Sequence, residues 1–210
     1  MLFSFDRFCH PNISRISLQQ QQWQKARSMW KFVGTHYLED FDFFMIGGDD
    51  MYVMPQNLRD FLGDQVEDPT REHYYGGELY YGKEDGKGGF HLGGPGYVLS
   101  QATLRSYINE LFNHDKCFPN TKKSAEDRFM GYCLQRGLGI IPNLTFDEKG
   151  RERFNNFPPA HYWGLAMKGV TTHMQKKTGV DCCAPDSISW HYLKSSFHIR
   201  SLHAYLYFCK

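Results

Sequence analysis

The sequence predicts an α/β fold, and three neighbouring features predict it. Trp23, Ala26, Trp30, Val33 and Tyr37 recur at helical spacing, which gives an amphipathic helix whose apolar stripe needs a sheet to cover it. The run Phe41-Asp42-Phe43-Phe44-Met45-Ile46 follows as a strand and breaks at Gly47-Gly48, delivering Asp49 and Asp50. Pro55 then stands just inside a second helix carrying Leu58, Phe61 and Leu62, for which Gly63 is the expected stop. Helix, strand, acidic turn and helix make one α/β unit. The acidic pair sits at a strand end, where open α/β sheets hold their ligands.

Around that unit the chain is read as follows. Residues 1–22 show no period and end in a glutamine run, so they form an irregular lead-in and the folded domain is expected over 23–210. Residues 74–81 and 90–92 read as a strand pair around a flexible glycine-rich connection, 82–89. Gly93-Gly94-Pro95-Gly96 allows a close approach of backbone to ligand, although a plain tight turn has the same composition. Ser100 is placed to cap a helix bearing Leu104, Tyr107, Ile108, Leu111 and Phe112.

Ser124-Ala125-Glu126-Asp127 opens a further helix, with Phe129, Met130, Cys133 and Leu134 on its apolar side and Gly137 after it. Ser124 and Asp127 have the spacing of an acidic capping box, so Asp127 has a structural reading as well as a chemical one. Beyond Ile141 the chain is loop-rich, punctuated by Pro158-Pro159 and Cys182-Cys183-Ala184-Pro185.

A chain of 210 residues with 41% hydrophobic content suits one domain with a real core. The net charge of +1 is dispersed, so no nucleic-acid partner and no charged membrane-binding face are expected. Aromatics make up 16% of the chain; most belong in the core, and the remainder offer flat faces for sugar rings. No apolar run approaches the roughly 20 residues that span a bilayer, and the first residues lack a signal peptide's regions.

The six cysteines, Cys9, Cys117, Cys133, Cys182, Cys183 and Cys209, include no C-x-x-C pair. That argues for disulfides in a secretory compartment over a zinc ribbon or a thioredoxin-type site. The sequons at Asn12 and Asn143 point the same way. A Cys117–Cys133 bridge would tie the 124–127 segment to its loop. Cys182 and Cys183 are expected to find partners elsewhere, Cys9 or Cys209 among them, because a bridge between adjacent residues closes a small, strained ring. Sequence does not fix the connectivity.

Paired carboxylates at a strand end can hold a divalent cation against a diphosphate; an acidic turn closing a core strand is the plainer alternative. The order of further motifs bears on that choice. Phe44-Met45-Ile46-Gly47-Gly48-Asp49-Asp50-Met51-Tyr52-Val53 is followed by Gly93-Gly94-Pro95-Gly96-Tyr97-Val98-Leu99-Ser100, Asp115-Lys116-Cys117, Ser124-Ala125-Glu126-Asp127 through Cys133, Cys182-Cys183 and Ser189-Trp190-His191-Tyr192. In that order the chain, from about Trp23 to Tyr205, resembles the core 1 β1,3-galactosyltransferase family, Fringe-related inverting enzymes with the glycosyltransferase-A fold.

The resemblance implies a site, residue by residue. In the family's triple-aspartate motif the last aspartate ligates the metal. Asp50 matches that last position and Asp49 the middle one, while Gly48 stands at the first, so that carboxylate's contribution to nucleoside binding is missing. His191 matches the histidine that supplies the second protein ligand to Mn2+. Asp127 matches the proposed base, with Glu126 beside it able to take or share that role, and Gly93 and Gly94 match a sugar-facing loop.

The implied reaction moves galactose from UDP-galactose to the 3-hydroxyl of O-linked N-acetylgalactosamine on a protein or peptide, in the Golgi lumen. Fringe-like relatives use other sugars, and one non-catalytic relative is a secretory-pathway chaperone; both are alternatives for this chain. Family members carry a membrane anchor, a stem and the first nucleotide-binding strands ahead of the part matching Trp23. The resemblance therefore implies the C-terminal portion of a catalytic domain, with an open apolar edge beside the 41–46 strand.

Overall fold

The computed structural model describes residues 2–4, 21–81, 89–168 and 178–208. Leu2–Ser4 forms strand β1 within the stretch read as a lead-in. The helical period of Trp23 becomes α1, Gln22–His36, which buries Trp23, Ala26, Met29, Trp30 and Val33. Strand β2, Phe43–Gly47, follows, then β3, Tyr52–Val53, and α2, Pro55–Gln65.

Next come β4, Tyr75–Gly77, β5, Leu79–Tyr80, and β6, Phe90–His91. Strand β7, Tyr97–Ser100, runs into α3, Gln101–Ser106, which continues as a π-turn over Tyr107–Leu111. Helix α4 spans Glu126–Leu138, β8 Phe154–Asn155, α5 Pro159–Met167, β9 Ser189–Trp190 and α6 Ser196–Phe208.

The main sheet has the order β1-β2-β7-β4. Strand β1 is parallel to β2, while β7 is antiparallel to both β2 and β4. Alternation along β2 sends Phe44 and Ile46 into one core with Trp23, Trp30, Tyr97, Leu99, Leu104, Met130 and Leu134. It sends Met45 into another, with Phe61, Leu62, Tyr74, Val98 and Phe154. Both faces are covered, which is why β2 reads as a continuous apolar run rather than an alternating one.

A second sheet, β3-β9-β8, matters more for the site. Tyr52 pairs with Trp190 and Val53 with Ser189, so the residue after Trp190 emerges beside the acidic turn that precedes β3.

Several local expectations are met. Ser100 caps α3 by accepting from the Thr103 amide at 3.2 Å, and Cys117 is bridged to Cys133. Other expectations are corrected. Helix α2 runs through Gly63 to Gln65, where the amide of the extended, buried Val66 closes it on the Leu62 carbonyl. Helix α4 starts at Glu126 behind Ala125, with no side-chain cap. The Ser124–Asp127 capping box therefore does not form, and the Asp127 carboxylate is used elsewhere. Gly137 lies inside α4, and Gly139, at φ 71° in the left-handed region, ends it.

The 74–81 segment divides at Glu78: β4 joins the main sheet, while β5 pairs with β6. Most of the glycine-rich connection between them, 82–88, lies outside the described residues. The apolar edge expected beside β2 is occupied by β1. At the other edge, Asn143 gives its amide to the Tyr75 carbonyl at 2.7 Å and accepts the Tyr75 amide on Oδ1 at 3.1 Å. Thr145 Oγ1 donates to the Gly77 carbonyl at 2.9 Å. Two residues of the second sequon thus satisfy an edge strand that would otherwise present open backbone groups.

Cys182 and Cys183 are bridged to each other, contrary to expectation. Cys182 closes the 3-10 turn Gly179–Asp181 with helical torsions, and Cys183 enters a bridge with Glu152. Cys9, Cys209 and the Asn12 sequon lie outside the described residues.

Candidate active site

The turn after β2 carries Asp50, and the segment after β9 wraps around it. Asp50 Oδ1 lies 3.0 Å from His191 Nε2. Asp50 Oδ2 accepts a hydrogen bond from the Lys194 ammonium, and the Asp50 carbonyl accepts from the Leu193 amide at 3.0 Å. The wrap depends on Tyr192, whose φ of 65° is left-handed, a conformation non-glycine residues rarely adopt. It reverses the chain within one residue, so that His191 and Lys194 reach the same carboxylate.

Partial burial works to raise the Asp50 pKa, but the Lys194 hydrogen bond and the charges of His191 and Lys194 outweigh it and hold the group below its ordinary value. Burial lowers the His191 pKa, against the opposing pull of Asp50. His191 Nδ1 sits 3.1 Å from the Asn156 carbonyl and 3.0 Å from its Oδ1. Since a carbonyl oxygen only accepts, Nδ1 carries the hydrogen and Nε2 is left as the lone-pair nitrogen. A lone pair and a carboxylate oxygen facing each other at 3.0 Å call for a positive charge between them, either a proton or a metal ion.

The glycine loop joins this pair to a second one. A β-carbon on Gly94 would stand 2.5 Å from His191 Nδ1 and Cε1. One on Gly93 would overlap Glu126 Oε1, and the Gly93 amide donates to Asp127 Oδ2 at 3.0 Å. Only glycines admit this spacing. Ser189 Oγ fixes the loop from below, donating to the Pro95 carbonyl at 2.6 Å.

Gly48 is close as well, though less so, since a β-carbon there would lie 2.9 Å from Asp50 Oδ1. A cleft of about 210 Å³ is lined by Gly48, Gly93, Gly94, Ser124, Glu126 and Asp127, among others.

Asp127 accepts the Arg128 amide on Oδ1 at 2.7 Å in addition to Gly93. Burial raises its pKa although these amides oppose it. Glu126 is more deeply buried. Its Oε2 accepts from the Tyr97 hydroxyl at 3.1 Å, which in turn accepts from Trp30 Nε1 at 3.3 Å. Burial and the neighbouring Asp127 charge push the Glu126 pKa well up.

Of the residues singled out from sequence, Asp50 and His191 are therefore in contact, Gly94 abuts His191, and Gly93 abuts Glu126 and Asp127. Asp49 is exposed on the turn, where its charge acts on Lys194. Lys194, Asn156 and Tyr97 were not foreseen, since each acts through a contact made only in the folded chain. Among the described residues no group of three or more His, Cys, Asp and Glu side chains is arranged around a metal position; the protein offers the Asp50–His191 pair.

No family model matches the chain. It is 29% identical over 210 aligned positions to glycoprotein-N-acetylgalactosamine 3-beta-galactosyltransferase 1 of Xenopus laevis, a match covering 88% of this chain and 53% of that protein. It is 29% identical over 123 positions to chondroitin sulfate synthase 3 of Homo sapiens and of Mus musculus, covering 54% of this chain and 13% of each. The chain thus spans about half the length of the first relative and a small part of the other two.

Proposed function

We propose that this chain, related as it is to the core 1 β1,3-galactosyltransferases, is a glycosyltransferase that moves galactose from UDP-galactose to the 3-hydroxyl of an O-linked N-acetylgalactosamine, with inversion. One observation carries the proposal: the Gly93-Gly94 loop touches His191 through Gly94 and Asp127 through Gly93. An Asp–His pair suited to a cation and the Glu126–Asp127 carboxylates thereby stand on either side of one glycine loop, whose cleft Asp127 lines.

A divalent ion fits the first pair. Asp50 Oδ1 and His191 Nε2 are 3.0 Å apart, close enough that one divalent ion could be shared between them. Imidazole with carboxylate and phosphate oxygens suits Mn2+. When bound, the ion offsets charge on the departing diphosphate. Asp50 and His191 would hold it, and Asn156 would keep the imidazole in the ligating tautomer.

Asp127 is the base. It takes the proton of the acceptor hydroxyl as that oxygen bonds to the sugar's anomeric carbon and the bond to the diphosphate breaks on the opposite face. The amides of Gly93 and Arg128 fix the direction of its carboxylate. Glu126 is the more buried of the two, and its Oε2 is held by the Tyr97 hydroxyl, which leaves Asp127 as the better placed base. A glycoprotein acceptor is the reading that the relative's name supports, and the proposed setting is the Golgi lumen; among the described residues no helix is long and apolar enough to cross a membrane.

The test is a transfer assay with Mn2+, a panel of UDP-sugars and a peptide carrying O-linked N-acetylgalactosamine. Transfer from UDP-galactose that disappears with Asp127→Asn is the expected result. Transfer from another UDP-sugar alone would move the chain toward its Fringe-like relatives, and donor binding without transfer would favour the non-catalytic binding relative.

A further inference from the structure

The contact between Lys194 and Asp50 has no role in the reaction as described above, and its geometry suggests one. Asp50 is engaged on both oxygens, by His191 on Oδ1 and by Lys194 on Oδ2. The backbone around Lys194 is fixed, because the Leu193 amide is bonded to the Asp50 carbonyl and Leu193 itself is buried. Its side chain is not: Lys194 is 56% exposed, whereas the Asp50 side chain is 16% exposed. A long side chain anchored at its base and more than half exposed can swing its ammonium without disturbing the fold. While it bonds Asp50, the same ammonium also lies over the Tyr192 ring, whose centroid is 4.1 Å from Nζ, so that face holds the charge near the turn.

We propose that Lys194 is an exchangeable counter-ion of Asp50: it neutralises the carboxylate while no metal is bound, yields it to a divalent cation shared with His191, and turns its ammonium to the donor's diphosphate. The inference rests on the reading of the cleft as a UDP-sugar site. The physical reason is charge economy. With Gly48 in place of a third carboxylate, Asp49 is the other carboxylate of the turn, so a divalent cation together with Lys194 carries more positive charge than Asp49 and Asp50 offset. A diphosphate is the ligand that satisfies both, since an ammonium binds phosphate oxygens as a mobile point charge. Metal and donor should therefore bind cooperatively through Lys194, each favouring the arrangement the other needs.

Calorimetry on the 210-residue chain tests this, with Mn2+ alone and then with UDP in the presence of Mn2+, for the wild type, Lys194→Met and Lys194→Arg. Removing an exposed competing cation should tighten Mn2+ binding about two- to fivefold in Lys194→Met. UDP binding with Mn2+ present should weaken by at least the same factor. Lys194→Arg keeps the charge and should follow the wild type. Because the Lys194 side chain is 56% exposed, Lys194→Met should give an unchanged circular dichroism spectrum.

Unchanged or weaker Mn2+ binding in Lys194→Met, or unchanged UDP binding, beside a wild type that binds both, would overturn the exchange and leave the cleft assignment standing. A wild type that binds neither Mn2+ nor UDP would overturn both.

Discussion

Gly94 and His191 are packed so closely that a β-carbon on the glycine would lie 2.5 Å from the imidazole Nδ1 and Cε1. Position 94 therefore sets where the imidazole can sit relative to Asp50. Gly94→Ala should push the ring from its place and weaken Mn2+ binding at least about tenfold, on the scale of other losses of ligand orientation. Gly63 is the contrast: it lies inside α2, and a β-carbon there would meet nothing within 4 Å. Gly63→Ala should stabilise the protein by about 0.8–1 kcal/mol, a rise in Tm of about 2–4 °C, with metal binding unchanged.

Asp127→Asn separates chemistry from structure. The amide keeps one oxygen acceptor but sets its nitrogen against either the Gly93 or the Arg128 N–H, costing about 1 kcal/mol of stability. Turnover should fall by about 10²–10⁴ if Asp127 is the base, with the circular dichroism spectrum kept. Turnover near the wild-type rate would move the base to Glu126 or off this helix.

What the sequence conveyed and what it hid divide along physical lines. The helix of Trp23 and Trp30 and the strand of Phe44 and Ile46 were legible because long elements with a buried face repeat their period many times. Strands β8 and β9 were not, since two residues each cannot display an alternation, yet β9 delivers His191 to Asp50. The Ser124–Asp127 spacing suggested a cap that does not form, because Gly93 competes for the same carboxylate. The Cys182–Cys183 bridge was masked by the general cost of joining adjacent cysteines, and the local 3-10 turn overrides it. Lys194 gave no signal, because its partner lies 144 positions away.

His91 gives the fold a pH dependence of known sign. It is fully buried, with Nε2 3.0 Å from the Tyr75 carbonyl, and burial lowers its pKa to about 4 from an ordinary value near 6.5. The native state therefore holds it neutral while the unfolded chain takes up a proton below about pH 6.5. Its contribution is complete above that pH and is lost as the pH falls from about 6.5 to about 4, by roughly 3 kcal/mol in all. Urea unfolding at pH 7 and pH 4.5 should show a smaller loss for His91→Gln than for the wild type. Equal losses would remove His91 as the cause.

The two disulfides should differ sharply in value. Cys117 and Cys133 are 16 residues apart, and opening that loop should cost about 3 kcal/mol by the chain-entropy relation. Cys182–Cys183 joins neighbours and restrains almost none of the unfolded chain. Denaturation of Cys117→Ala/Cys133→Ala against Cys182→Ala/Cys183→Ala should show the larger loss in the first pair, and the reverse order would count against this assignment.

The central claim is that Asp50 and His191 hold one cation, and pulsed electron paramagnetic resonance of bound Mn2+ tests it most directly. A ligating imidazole nitrogen couples magnetically to the ion. The wild type should show that nitrogen coupling, His191→Gln should lose it, and Asp50→Asn should lose the bound ion itself. Mn2+ bound without nitrogen coupling, or coupling that survives in His191→Gln, would contradict the account.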